Sequence, residues 1–110
     1  MEEWTLHALR EEFGISRRVV QGYEKYKLVK PSGRNERGHL IYSQQSVDRI
    51  LLIRRYSQFG FPLRKISGLL SADSEELCSE LTVRCRALKT ERDELDRRIK
   101  DLDSLIKELT

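Results

Sequence analysis

No stretch of this sequence approaches the roughly 20 apolar residues that span a bilayer. Its N-terminus, Met1-Glu2-Glu3-Trp4, is acidic and lacks the basic-then-apolar layout of a signal peptide. The expectation is a cytoplasmic protein with no membrane partner. Cysteine is scarce: Cys78 and Cys85 are the only two. Seven residues apart in a helix, they hold their Cα atoms about 10 Å from one another, beyond the reach of a disulfide. Histidine is equally scarce. His7 and His39 stand far apart with no nucleophile at a recognisable spacing, and no glycine-rich phosphate cradle is present. The chain reads as a non-enzyme that needs no cofactor.

What is there is charge, and it is unevenly placed. The net charge of +3 divides into a basic head and a mildly acidic tail. Residues 1–72 carry 13 Lys/Arg against 7 Asp/Glu, and residues 73–110 carry 8 against 11. A basic head suits a polyanion and an acidic tail suits protein, although a solvated surface explains the same numbers.

Punctuation along the chain divides the head into short elements. Thr5 can cap a helix with Leu6, Leu9 and Phe13 on one face, and Gly14 ends it. Ser16 can cap a second helix from Arg17 to about Tyr26, with Val19, Val20 and Tyr23 as inner residues. Two short helices joined at a glycine form a helix-turn-helix pattern. Lys30 to Gly38 is turn chemistry, and His39-Leu40-Ile41-Tyr42 suits a strand, so together they suggest a wing. Ser43 caps a third helix to about Gln58, with Val47, Ile50, Leu51 and Ile53 apolar. Gly60 stops it, and Pro62 opens a fourth helix carrying Leu63, Ile66, Leu69 and Leu70.

After a joint at Ser71-Ala72-Asp73-Ser74, one helix runs to the C-terminus, about 36 residues or roughly 54 Å long. Leu81, Leu88, Leu95, Leu102 and Leu109 recur every seven residues, each three after Cys78, Cys85, Arg92, Ile99 and Ile106. That is an a/d heptad seam, the mark of a coiled coil and here of a homodimer. Orientation follows from the flanking charges. A parallel pair sets Arg84 against Lys89 and Glu91 against Asp96, both repulsive. An antiparallel pair with its dyad near residues 93–94 sets Glu91 against Arg98 and Lys89 against Asp96, both attractive. Arg92, the polar seam residue, either fixes the register or lays its methylenes on the seam with its charge in water.

The order of elements resembles the MerR family of transcriptional regulators over the whole chain. The resemblance is carried by Phe13-Gly14-Ile15-Ser16-Arg17-Arg18-Val19-Val20, by Tyr23-Glu24-Lys25 with Leu28 and Pro31, and by Gly38 and Tyr42-Ser43. It continues in Ile53-Arg54-Arg55, in Phe59-Gly60-Phe61-Pro62-Leu63-Arg64-Lys65-Ile66, and in Leu69-Leu70. It implies a mainly α fold, with a winged helix-turn-helix head (1–72) followed by a long antiparallel coiled-coil dimerisation helix (73–110). It also implies a homodimer on a palindromic operator in double-stranded DNA, with RNA polymerase as a partner at the promoter. Two departures stand out: Gln21-Gly22 replaces the usual Arg-Tyr before Tyr23-Glu24, and Gly38-His39-Leu40 replaces Gly-Tyr-Arg in the wing. Gly22 inside a helix costs about 1 kcal/mol relative to Ala, which a close approach of DNA or of a packed neighbour would explain.

Base readout falls to Arg17, Arg18 and Gln21, since Arg can grip guanine and Gln adenine in the major groove. Tyr23 matches the family tyrosine, with core packing as the alternative. Arg34 and Arg37 suit phosphate or minor-groove contacts, and His39 either meets phosphate or packs under the wing. Arg54 and Arg55 either pair with acidic groups within the domain or reach DNA. Arg64 and Lys65 match a place where the family touches the backbone. Cys78 aligns with the cysteine of the mercury-responsive members, whose other ligands come from beyond this helix. The chain stops at Thr110, so a short form without an effector domain is expected and no metal site is assigned. Two other readings stay open: a coiled-coil adaptor with a degenerate winged head, and a thiol-based redox or metal-responsive regulator.

Overall fold

Side-chain caps define where the helices of this protein begin. In the computed structural model, which describes residues 3–110, the Thr5 hydroxyl accepts from the Ala8 N–H at 3.1 Å and opens α1 (Leu6–Phe13). The Ser16 hydroxyl accepts from Val19 N at 3.2 Å and opens α2 (Arg17–Lys25). Ser43 does the same for Ser46 N at 3.2 Å at the start of α3 (Gln44–Gln58). Each cap satisfies a donor that has no partner inside its helix. Pro62 stands just before α4 (Leu63–Ser71), its carbonyl accepting from Lys65 N at 2.9 Å. Met1 and Glu2, half of the acidic N-terminal stretch, lie outside the described residues.

The chain divides into two compact units, Met1–Ser71 and Ala72–Thr110. In the first, three short antiparallel strands accompany the helices: β1 (Glu3–Thr5), β2 (Gly33–Arg34) and β3 (Leu40–Ser43), in the order β1-β3-β2. β2 and β3 form the expected wing hairpin, pairing Gly33 with Ile41 and Arg34 with Leu40. β1 was not expected. It pairs Glu3 with Ser43, Trp4 with Tyr42 and Thr5 with Ile41, so the wing's inner strand is flanked on both sides. The Trp4 indole donates to Gln44 Oε1 at 2.9 Å, and its ring lies 5.4 Å from that of Phe13.

The core of the head is filled from every helix. Leu9 of α1, Val20 of α2, Ile50 and Ile53 of α3, and Ile66 of α4 are all fully buried, with Tyr42 of β3 among them. Two expectations about inner residues need correcting. Val19 is 39% exposed, because Val20 and Tyr23 define the buried arc of α2 and Val19 lies about 100° round the helix from Val20. Leu51 is only half buried, and Tyr56 completes the inner stripe of α3 instead, three residues on from Ile53.

The second unit is one 36-residue helix, α5 (Ser74–Leu109), capped by Asp73, whose carboxylate accepts from Glu76 N at 2.8 Å. It buries no residue of its own. The heptad face is open in the single chain: Leu95 is 54% exposed, Leu102 59% and Leu109 79%. Cys78 and Cys85 are exposed free thiols. No helix among the described residues is long and apolar enough to cross a membrane.

Candidate nucleic-acid interface

The turn between α1 and α2 is fixed from both sides. Gly14 adopts the left-handed conformation (φ 68°), and its N–H donates to Arg10 O at 2.9 Å. From α3, Arg54 Nη1 donates to the Phe13 carbonyl at 2.7 Å. Arg54 therefore meets a backbone carbonyl at the end of α1, where an acidic partner or DNA was expected. It also stands near Tyr23, whose hydroxyl hydrogen-bonds Ser57. Burial raises the Tyr23 phenol above its ordinary value, while Arg54 and Ser57 act in the opposite direction. Tyr23 is 5% exposed. Packing thus takes this residue, and it does not stand on the outer face of α2 with the other predicted contacts.

That outer face carries Arg17, Arg18, Gln21 and Lys25, all exposed. Around the helix, Arg18, Gly22 and Lys25 form the stripe opposite the buried arc, and Arg17 and Gln21 lie on one flank of it. A Cβ on Gly22 would meet nothing within 4 Å among the described residues, so no packed neighbour among them requires a glycine there.

In the wing, Asn35 organises the loop. Its Oδ1 accepts from Arg37 N and His39 N at 3.0 Å each, and its carbonyl accepts from Gly38 N at 2.9 Å. Gly38 takes a φ of 81°, which a residue with a Cβ adopts only under strain. Arg34 Nη1 donates across the loop to Gly38 O at 2.6 Å, which preorients the guanidinium and leaves its other N–H groups available. Arg37 and His39 are exposed on the same loop.

Between α2, the start of α1 and the wing lies a hollow of about 370 Å³. It brings together Arg17, Gln21, Arg34 and His39 with His7. Sequence reasoning missed His7, because nothing in the local pattern shows that the first turn of α1 faces the wing. The pairing of β1 with β3 puts it there. On β3, Tyr42 is fully buried. Among the described residues no acceptor stands in good hydrogen-bond geometry to its hydroxyl, although the Glu24 carboxylate acts on it by charge and as a weak acceptor. Burial first, then the Glu24 carboxylate, push this phenol up to about 12. Arg64 and Lys65 are exposed in the first turn of α4. Arg49 Nε donates to the Leu28 carbonyl, tying the segment after α2 to α3.

A helix-turn-helix whose second helix exposes a basic face, beside a hairpin wing with further arginines, defines a winged DNA-binding head. Comparison with known proteins names the family. Residues 4–73 match the MerR HTH family regulatory protein model, and residues 47–110 match the model described as MerR, DNA binding. The chain is 34% identical over 95 residues to the mercuric resistance operon regulatory protein of Bacillus cereus, covering 86% of this chain and 70% of that one. It belongs to the MerR family of DNA-binding transcriptional regulators. The fold agrees with a MerR-family regulator from Bacillus cereus at a TM-score of 0.82, with 20% identity, covering 97% of this chain and 82% of that one. It also agrees with HiNmlR, a MerR-family regulator lacking the sensor domain and solved on promoter DNA. There the TM-score is 0.68 and the identity 22%, covering 96% of this chain and 88% of that one.

Proposed function

We propose that this regulator acts as a homodimer on a palindromic promoter operator, each head placing α2 in a major groove with its wing against the backbone. The observation that carries this reading is the exposed a/d face of α5, which has no apolar partner within its own unit. A second copy, antiparallel, supplies one. Layers then pair Leu88 with Ile99 and Cys85 with Leu102 of the other chain, and Glu91 meets Arg98 across the seam. Two-fold symmetry of the protein predicts two-fold symmetry of the operator.

In each half-site Arg17, Arg18 and Gln21 read base edges. Arg34, Arg37, His39, Arg64 and Lys65 hold phosphates and set register. RNA polymerase at the promoter is the partner this arrangement serves, in the cytoplasm. Duplexes selected from a random pool test the whole reading. A palindromic consensus is expected, bound by a 2:1 protein–DNA complex in anisotropy and sedimentation measurements at two salt concentrations. Equal affinity for every duplex at moderate salt would sink it.

A further inference from the structure

Both histidines of the chain meet in one place. His7, from the first turn of α1, and His39, from the wing, line the same hollow as Arg17, Gln21 and Arg34. Both imidazoles belong to exposed residues. Among the described residues, no Asp or Glu lines the hollow. The described carboxylates of the surrounding elements are outside its lining: Glu3 at the start of β1, Glu11 and Glu12 in the last turn of α1, Glu24 on α2 and acting on Tyr42, and Glu36 in the wing loop. Thr5 also lines the hollow; its hydroxyl accepts from Ala8 N and keeps its O–H to donate. With Leu6, Gly38 and Leu40 as its non-polar lining, the seat presents two guanidinium groups, two imidazoles, an amide and a hydroxyl, and that chemistry takes an anion.

We propose that His7 and His39 hold a DNA phosphate in this seat as imidazolium ions, so that proton uptake accompanies DNA binding. The proposal rests on the DNA-binding reading above and adds to it a contact residue, His7, and a dependence on pH. Histidine ordinarily titrates near 6.5, whereas a phosphodiester stays anionic throughout this range. Over this range a free imidazole gives up its proton as pH rises. A phosphate in the seat favours protonation. The sign is therefore fixed: affinity rises as pH falls from 8 to 6.

Anisotropy titrations of the full chain with the selected operator duplex, at pH 6, 7 and 8 and constant ionic strength, read the effect directly. Binding is expected to be tighter at pH 6 than at pH 8 by roughly five- to tenfold per histidine. His7→Gln and His39→Gln each remove one share, and the double variant flattens the profile. At pH 6 the wild-type salt dependence is steeper by about one released counterion per histidine. The imidazole proton resonances of wild type give a second readout that needs no variant, since their titration midpoints move upward when the duplex is added. A wild-type affinity that is flat in pH, a pH dependence that survives in the double variant, or midpoints unmoved by duplex would each overturn the proposal. Loss of preference for the operator over random duplex at pH 8 is a separate result, and it removes the DNA-binding reading itself.

Discussion

Arg54 and Arg18 are both helix-borne arginines of the head, and their surroundings give them opposite tasks. Arg54 donates to Phe13 O inside the domain, so Arg54→Ala leaves a carbonyl at the end of α1 without its partner. A loss of about 1–3 kcal/mol is expected in urea unfolding, the range for a charged hydrogen bond in a partly buried setting. Arg18 stands exposed on the outer stripe of α2. Arg18→Ala is expected to leave unfolding within about 0.5 kcal/mol and to weaken operator binding by about 1–3 kcal/mol, with a smaller effect on random duplex. Tyr42 shows a third kind of residue effect. Its phenol, raised from 10.0 to about 12 by burial and by Glu24, is favoured by folding in the protonated form. That contribution is intact below pH 10 and is lost as pH climbs toward 12. Alkaline unfolding of Tyr42→Phe should therefore show a shallower decline over this interval. At neutral pH the variant should stay within about 1 kcal/mol of wild type, because the hydroxyl removed has only the poorly aligned Glu24 carboxylate as acceptor.

At the scale of elements, the caps and breakers were legible because their chemistry is local. Thr5, Ser16, Ser43, Gly14 and Gly60 each act on backbone within a few residues. The C-terminus of α2 was less legible. Lys27 N donates to Glu24 O at 2.9 Å and Leu28 N to Tyr23 O at 3.0 Å, the two bonds of a Schellman ending. Its left-handed residue is Lys27, φ 59°, where a glycine would signal the stop. Lys27→Gly should relieve this conformation and raise stability by about 0.5–1 kcal/mol in thermal melts. β1 escaped notice for a different reason. Three residues cannot show alternation, and the strand exists only because β3, some 40 residues away in sequence, offers an edge. The same long-range pairing brings His7 to the wing. Tyr23 was ambiguous because an aromatic at that spacing suits a core as well as a DNA contact, and only its burial decides.

At the scale of the whole molecule, the orientation of two α5 helices is the point on which operator geometry depends, and charge exchange tests it without perturbing the apolar seam. In the antiparallel arrangement, position 91 of each chain faces position 98 of the other. Glu91→Arg alone makes both cross-pairs repulsive between two arginines, and Arg98→Glu alone makes both repulsive between two glutamates. Mixing the two variants restores attraction at both pairs, so heterodimers should outcompete either homodimer. With each pair worth a few tenths of a kcal/mol in either sign, the exchange favours heterodimer on the order of 2 kcal/mol. In the parallel arrangement, position 91 faces Asp96 and position 98 faces Asp103. The mixed dimer is then intermediate between its parents and gains no preference. Within one chain Arg84 reaches Glu91 at 3.9 Å, but each Glu91→Arg chain loses this contact whichever partner it has, so the loss cancels when two heterodimers are compared with the two homodimers. Native mass spectrometry of the mixture, with one variant isotopically labelled, reads the ratio. An excess of heterodimer that falls with added salt is expected, and a statistical 1:2:1 distribution would reject the antiparallel seam.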